Sequence, residues 1–332
     1  MDRNKEALAR LEGALEGVSA GTLDIRVFSP EGGEGETPRR LRASTDGRGR
    51  MDVYPVFPGV TASFQSFLAS RAVFHHDASA TTLDMHHCRM GRIGWELRGD
   101  VTVYLGAGDL SLQSADCCAD SVMLFPVGCA AGLTISVDLE RLAAGPPEIL
   151  REAGLDAGRM IDRFCRTGPA AVPSCPELDC IFSPLYGLEE RLRLPYLKLK
   201  LQELLLYLDR REAGGAALPR YVSRQTELIR EIHDLLVEDL SRRHTIEELS
   251  RRYLINTSSL KEVFKAVYGL PIATYMKEYR VREAMRLLRE TGASISDVAA
   301  RVGYETQGKF TRAFKDVAQM LPSEYRRRCR SE

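Results

Sequence analysis

Apolar and polar residues follow two different rhythms along this chain, one in its first half and another in its last third. From Met51 to about Leu139, short runs alternate apolar and polar residues and are divided by glycines, as in VTVYLGAGDLSLQS and GLTISVDL. Closely spaced runs of this kind predict the strands of a sandwich or small barrel. After residue 222 the apolar residues recur at helical spacing. A chain of 332 residues therefore divides into a β-rich domain and a helical domain.

Changes in this pattern set the expected domain boundaries. The stretch Ser29 to Arg50 is rich in Gly, Pro and Arg and predicts a mobile loop. The stretch LPYLKLKLQELLLYLDRREA predicts a strong helix with five leucines along one face, Leu197, Leu201, Leu204, Leu205 and Leu208. The predicted segments are an N-terminal helix and loop at 1–50, a β-rich domain at 51–145, a helical region at 146–213, a linker at 214–222 and an all-helical domain at 223–330.

Two stretches of the helical domain share one pattern about fifty residues apart. Thr245 with Glu248, and Ser294 with Asp297, have the spacing of a capping box at the start of a helix. Each pair leads into an apolar stripe, a turn and a second apolar stripe; Gly303 occupies the second turn, as a backbone with positive φ favours. A short helix, a turn and a second helix, occurring twice, predict a duplicated helix-turn-helix.

The second helix of each copy presents polar and basic side chains opposite its apolar stripe. Gln can pair with adenine and Arg or Lys with guanine, while hydroxyl groups can bind phosphate. Each of these residues could also belong to an ordinary solvated face. The candidate DNA-binding residues are Thr257, Ser258, Lys261, Lys265, Thr306, Gln307, Lys309, Arg312 and Lys315.

The segment between the two copies predicts a connecting helix from Pro271 to Glu290. About twenty residues at about 1.5 Å each give a rod of about 30 Å. This length is close to one turn of B-DNA, about 34–36 Å. One chain could therefore place two helices in successive major grooves.

The motifs of the helical domain resemble those of the AraC family of transcriptional regulators. The second helix-turn-helix of the family is similar to the stretch ISDVAARVGYETQGKFTRAFK and the following PSEYRRR. The family's first recognition helix and connecting helix are similar to the stretch SLKEVFKAVYGLPIATYMKEYRVREAMRLL. The resemblance covers about Arg224 to Arg328 and implies a sequence-specific DNA-binding domain of seven helices. The chain departs from the family pattern at Glu262, usually basic, at Gly308, usually polar, and at Gln319, usually glycine.

The β-rich half is similar to the cupin-like effector domain of many such regulators, in stretches such as MDVYPVFPGV and HHCRMGRIGWEL. The resemblance implies a multidomain protein: a cupin-like β-barrel or jelly roll with flanking helices, then an all-α domain of two helix-turn-helix units. It further implies a small-molecule effector in the barrel, a homodimer formed with help from the 197–208 helix, contact with RNA polymerase and activation of transcription. We expect the leucine face of that helix to serve both as core and as dimer seam.

The distribution of charge supports DNA binding by the helical domain. The chain has no net charge. From Arg220 onward it contains 22 Lys and Arg and 16 Asp and Glu, which gives +6, so the preceding part carries −6. A basic C-terminal half is the part that would approach double-stranded DNA.

Two other functions remain as alternatives: a cupin-fold metal-dependent enzyme with an accessory nucleic-acid-binding module, and an architectural DNA-binding protein without an effector. His86 and His87 are adjacent, so on a strand they face opposite sides and only one can enter the barrel. We therefore expect no enzyme activity, no metal site and no cofactor. The eight cysteines contain no CxxC pair and are expected to be free thiols. With no signal peptide or bilayer-length apolar run, we expect a cytoplasmic protein without membrane contact.

Overall fold

The computed structural model describes residues 2–28, 42–75, 78–97, 100–211 and 216–331. The chain divides into a β-rich unit, residues 7–223, and a helical unit formed by residues 224–332 with residues 1–6. This confirms the predicted order of a β-rich half and a helical half. Residues 29–41 of the predicted loop lie outside the described residues.

The described strands of the β-rich unit form two sheets. The strands are β1 Thr22–Val27, β2 Arg42–Thr45, β3 Arg48–Phe57, β4 Val60–Leu68, β5 Arg71–His75, β6 Thr82–Gly91, β7 Ile93–Leu97, β8 Val101–Leu105, β9 Leu110–Ser114, β10 Asp120–Leu124, β11 Ala130–Asp138, β12 Ala170–Val172, β13 Ala216–Ala217 and β14 Tyr221–Val222. The sheet orders are β1-β3-β4-β11-β6-β9-β12-β13 and β14-β8-β7-β10-β5-β2. Strands β1 and β3 pair in parallel, and the other pairs are antiparallel.

The sheets extend beyond the predicted 51–145 segment at both ends. Strand β2 and the start of β3 occupy part of the stretch predicted as a loop, so that prediction is wrong after residue 41. Strands β13 and β14 lie inside the predicted linker, 214–222. Strands of two to four residues are held by pairing with their neighbours and are too short to show an alternating pattern.

The two sheets face each other across an apolar core. Phe67 and Cys88 of the eight-stranded sheet pack with Trp95 and Val103 of the six-stranded sheet in one buried cluster. Sheets of this kind alternate the direction of successive side chains, so the neighbouring residues of each strand point away from this core.

Helices cover the outer face of the eight-stranded sheet. The helices are α1 Asp2–Ala14, α2 Leu139–Ala144, α3 Glu148–Glu152, α4 Ala157–Met160, α5 Pro176–Phe182 and α6 Glu190–Arg210, with single turns of 3₁₀ helix at Ala115–Cys118 and Ser183–Leu185 and of π-helix at Ile161–Cys165. Leu133 and Ile135 of β11 share one buried cluster with the leucines of α6. The predicted leucine face at 197–208 is at most 1% exposed at each leucine. It is therefore core, and its expected second role as a dimer seam is wrong because the sheet already covers it.

The helical unit contains seven described helices, the number that the family resemblance implies. They are α7 Ser223–Glu238, α8 Ile246–Arg252, α9 Thr257–Tyr268, α10 Ile272–Glu290, α11 Ile295–Arg301, α12 Gln307–Ala318 and α13 Pro322–Ser331. Helices α8 and α9 form one pair joined by a short turn, and α11 and α12 form the other.

Both predicted capping boxes are present. The Thr245 hydroxyl accepts from the Glu248 amide at 3.1 Å, and the Glu248 carboxylate accepts from the Thr245 amide at 2.9 Å. The equivalent distances for Ser294 and Asp297 are 3.0 and 3.3 Å. Each box satisfies two amides at a helix start, where the backbone supplies no acceptor.

The repeated turns require left-handed backbone at matching positions, but only one copy uses glycine there. Gly303 has a φ of 79°, while Leu254 takes a φ of 51° at the equivalent turn and is 94% exposed. Gln319 ends α12 with a φ of 57°, as Gly269 ends α9 with a φ of 83°. Helix α12 therefore ends in the same left-handed conformation although Gln319 replaces the glycine. Because a residue with a side chain is strained in this conformation, the replacement lowers the stability by about 1 kcal/mol.

Replacing Gly303 by alanine should destabilise the helical unit by more than about 2 kcal/mol. A Cβ at this position would clash with the Leu240 carbonyl oxygen, and the φ is unfavourable for alanine. The matched control is Gly308→Ala, an exposed helical position with nothing within 4 Å, which should gain about 1 kcal/mol. Urea-dependent amide exchange in α11 and α12 measures both; equal stability of the two variants would contradict this account of the turn.

Candidate nucleic-acid interface

The nine candidate DNA-binding residues lie on α9, on α12 or at the start of these helices. Eight of them are exposed, and Thr257, the first residue of α9, is half-buried. Burial explains this placement: each helix turns one apolar stripe inward, such as Leu260 and Phe264 in α9 and Phe310 and Phe314 in α12. At 3.6 residues per turn, the opposite stripe must then face solvent.

The two helices match position by position with an offset of 50 residues. Lys265 corresponds to Lys315, and Glu262 corresponds to Arg312. Both members of each pair lie near the centre of the exposed face, because they stand opposite the buried stripes. The two faces are therefore alike in shape and differ in charge at one central position.

The starts of the two helices are capped by side chains. The Thr306 hydroxyl oxygen accepts from the Lys309 amide at 3.3 Å, and its own proton remains available to an acceptor such as a phosphate oxygen. In α9 the cap is Asn256, whose side-chain oxygen accepts from the Ser259 amide at 2.7 Å. Thr257 is the first helical residue after this cap.

Most of the cations on these faces have no partner within the helical unit. Among the described residues, Lys261, Lys265 and Lys315 form no hydrogen bond or ion pair, and neither does Arg312. Lys309 is the exception, with its ammonium 2.7 Å from the Glu305 carboxylate. Unpaired and exposed cations are the groups that neutralise nucleic-acid phosphates at the lowest desolvation cost.

The two adjacent histidines of the β-rich unit face opposite sides of β6, as the sequence predicts. His87 points outward, where its ring stacks on Phe182 at 4.0 Å and its Nδ1 lies 2.8 Å from the Tyr186 hydroxyl. Burial lowers the pKa of His87 to about 4. His86 points between the sheets, with its ring 4.9 Å from Trp95.

A polar cluster surrounds His86 between the sheets. The Thr134 hydroxyl lies 2.8 Å from His86 Nδ1 and 2.6 Å from the Gln65 side-chain nitrogen. On the same side, the Asp84 carboxylate accepts from the Ser136 hydroxyl at 2.6 Å and from the Cys118 thiol at 3.3 Å. We call this group the interior polar cluster; it consists of Gln65, Asp84, His86, Ser111, Gln113, Thr134 and Ser136.

Two members of the interior polar cluster lack expected partners. The Ser111 hydroxyl and the Gln113 side-chain carbonyl oxygen are buried and accept or donate no hydrogen bond among the described residues. A buried polar group without a partner costs about 1–3 kcal/mol, so such groups call for a ligand or a water.

Metal-site geometry is not found in the part of the chain that the structure describes. No group of three or more His, Cys, Asp or Glu side chains there could hold a metal ion. The eight cysteines are all free thiols.

Comparison with known proteins identifies the helical unit. A family model described as a helix-turn-helix domain matches residues 249–328. An AraC-like transcription regulator from Streptomyces lividans is 34% identical over 92 residues, 28% of this chain and 30% of that protein. The transcriptional activator RhaR from Yersinia pseudotuberculosis is 40% identical over 70 residues, 21% of this chain and 24% of that protein. The C-terminal unit carries an AraC-type helix-turn-helix domain.

The alignments to these two relatives cover less than a third of this chain. Both alignments span less than two thirds of the relatives' own lengths. Among solved structures, the C-terminal domain of the two-component response regulator yesN from Fusobacterium nucleatum is 30% identical; the match covers 31% of this chain and 99% of that one, with a TM-score of 0.29.

Two features of the AraC-type domain were absent from the sequence-based set of candidates. Glu262 lies outside that set, although its match to Arg312 places it at the centre of α9's exposed face. Asn256 was not recognised as a cap, although an Asn immediately before an apolar stripe is a helix-start signal.

Across the described residues, none of the helices has both the length and the apolar character needed to cross a bilayer.

Proposed function

We propose that this chain is a cytoplasmic, sequence-specific DNA-binding transcription regulator. Its AraC-type domain contains two helix-turn-helix units, α8–α9 and α11–α12, whose second helices enter two major grooves. The observation that carries the proposal is the pair of matched, exposed faces on α9 and α12 with four unpaired cations: Lys261, Lys265, Arg312 and Lys315.

The connecting helix supports reading two half-sites with one chain. Helix α10 has 19 residues, which at about 1.5 Å per residue gives about 28 Å. This length suits two major grooves on one face of DNA, separated by about one helical turn.

Each exposed face supplies both base-reading and phosphate-binding groups. Arg312 suits guanine and Gln307 suits adenine in α12, while the carboxylate of Glu262 suits the amino group of cytosine in α9. The remaining lysines and the hydroxyls of Thr257, Ser258 and Thr306 suit phosphate oxygens. The two half-sites should therefore differ in sequence even though the two helices match in shape.

The protein with both its units should retain a few sharp peaks from sheared genomic DNA at physiological salt. Each peak should contain two half-sites about one helical turn apart, because α9 and α12 read one groove each. Sequencing of the retained fragments measures this. Uniform retention that disappears with modest added salt would contradict specific reading, since phosphate contacts alone behave in that way.

Replacing Arg312 by alanine should weaken binding to a retained site by about 1–3 kcal/mol and relax preference at one base pair, because a bidentate contact to guanine is lost. Glu262→Ala should relax preference in the other half-site. The matched control is Arg289→Ala, an exposed α10 arginine paired with Glu290 at 3.1 Å, which should leave the preference unchanged. Fluorescence anisotropy with single-base variants of the site measures all three, and an unchanged preference in Arg312→Ala would refute its assignment.

We further propose that the β-rich unit is a cupin-like domain that binds a small polar effector at the interior polar cluster. The partnerless Ser111 hydroxyl and Gln113 carbonyl, with Trp95 beside His86, support this placement. Effector binding alters how the AraC-type domain is presented to DNA or RNA polymerase, and the outcome is activation.

Metal analysis of the purified protein distinguishes this effector domain from the alternative, a cupin-fold metal-dependent enzyme. Stoichiometric iron, manganese or nickel would favour the enzyme.

The Ser111→Ala variant tests the effector site. It removes only a buried hydroxyl that has no partner and adds no atom, so thermal stability should stay close to that of the wild type. Effectors drawn from a polar metabolite library should raise the Tm of the wild type and raise that of Ser111→Ala less. The control is Ser183→Ala, on the exposed surface outside the cluster. Equal shifts in wild type and Ser111→Ala would place the effector elsewhere.

The homodimer is proposed to use a second face of α6, opposite its buried leucines. Leu192, Tyr196, Leu199, Glu203 and Leu206 recur at alternating spacings of four and three residues, the spacing of a coiled-coil seam. Tyr196 is 37% exposed and Leu199 is 59% exposed, so this face is available to a second copy. Helix α6 can therefore pack on its own sheet and on a partner at the same time.

Leu199→Lys should shift the protein from dimer toward monomer, because it places a charge in the middle of this seam. Gln202→Lys introduces the same group into the same helix beside the seam and should leave the dimer intact. Sedimentation velocity across protein concentrations measures both. A dimer of unchanged strength in Leu199→Lys would exclude this face.

A further inference from the structure

A concave, positively charged groove lies within the helical unit, between the start of α8, one side of α10 and one flank of α12. Its volume is about 540 Å³. Leu236, Ile272 and Met276 contribute apolar lining. The charged side chains at its rim are Arg243, Lys277, Arg280, Lys309 and Arg312, and we call the whole concavity the cationic groove.

The charges of the cationic groove are not balanced locally. Its one acidic lining residue, Asp316, is 3.0 Å from the Lys277 ammonium. Lys309 pairs with Glu305, whereas Arg312 has no ion pair among the described residues. Arg243, Arg280 and Arg312 thus line one concave surface without an ion pair among the described residues; the charges of Arg243 and Arg312 act only at longer range, where they help to lower the pKa of Glu305 and Asp316.

Two of the arginines are held in place by backbone and ring contacts. Arg243 Nε donates to the Gly303 carbonyl at 3.1 Å, and its guanidinium lies 5.6 Å from the centre of the Tyr304 ring. Arg280 donates from one terminal nitrogen to the Arg242 carbonyl at 3.2 Å. Burial and the nearby Arg243 charge lower the pKa of Arg280. These contacts position like charges together, and a fixed array of guanidinium donors binds an anion with little loss of side-chain entropy.

We propose that the cationic groove binds a phosphate group of the DNA backbone, between the two segments contacted by α9 and α12. The inference rests on the proposed DNA-binding function. Arg312 belongs both to the exposed face of α12 and to the groove, and α10 is the helix that connects the two helix-turn-helix units. The contact carries no sequence information; it fixes how both units dock on one duplex. Arg243, Lys277 and Arg280 thereby become DNA-positioning residues.

The test is the salt dependence of DNA binding by Arg243→Gln and Lys277→Gln. The control is Arg282→Gln, which removes the same charge from α10 two residues from Arg280, about 200° around the helix and outside the groove. Anisotropy titrations on a retained site and on a random duplex, over a series of salt concentrations, give the slope of log K against log salt. Each groove variant should lose about one unit of slope on both duplexes with unchanged sequence preference, whereas Arg282→Gln should match the wild type.

A parallel titration with inorganic pyrophosphate separates the two sources of phosphate. If pyrophosphate raises the Tm of the wild type but not of the groove variants, while their DNA slopes equal the wild-type slope, a free phosphorylated compound occupies the groove and the DNA backbone does not. If the slopes and the pyrophosphate shifts are both unchanged in folded variants, the groove is not a phosphate site. If the wild type binds neither duplex, the proposed DNA-binding function is wrong. The pyrophosphate titration still shows in that case whether the groove binds phosphate. Circular dichroism melts establish that each variant is folded; Lys277 is 40% exposed, so its replacement is the safer of the two.

Discussion

The burial of one apolar stripe on each short helix is the constraint on which the AraC-type domain depends. Phe264 in α9 and both Phe310 and Phe314 in α12 are fully buried, and this fixes the rotation of each helix about its axis. Because the rotation is fixed, the polar residues between these positions must face outward together. The same two helices therefore show equivalent faces, and a single difference such as Glu262 against Arg312 changes what a face can recognise without changing its shape.

A comparable division of surfaces organises the β-rich unit. The eight-stranded sheet has one apolar face covered by helices, including the leucines of α6, and another face turned toward the second sheet. Since the outer layer supplies much of the apolar burial, part of the space between the sheets can hold polar side chains such as Asp84 and His86. Buried polar groups lower stability unless they are hydrogen-bonded, and here Asp84 accepts from the Ser136 hydroxyl while His86 Nδ1 lies 2.8 Å from the Thr134 hydroxyl.

Left-handed turn positions show how the duplicated units have diverged. Gly303 is required by close approach to the Leu240 carbonyl, whereas Leu254 occupies the equivalent turn with its side chain in solvent. The second unit therefore packs its turn more tightly than the first. Gln319 likewise replaces a glycine at a helix end and compensates in part by donating from its side chain to the Asp316 carbonyl at 2.8 Å.

Short-range patterns in the sequence predict the helical domain: capping pairs, apolar stripes and turn residues act within a few residues of one another, so they indicate the helices and the exposed candidates such as Arg312. They also predict that His86 and His87 face opposite ways, because alternation along a strand is local. The packing of the folded chain, in contrast, places the leucine face of α6 in the core, joins β13 and β14 to the sheets, and brings Arg243, Lys277 and Arg280 together with Arg312 in one groove. These outcomes depend on contacts between residues far apart in the chain, and a local pattern carries no information about which distant surface will cover it.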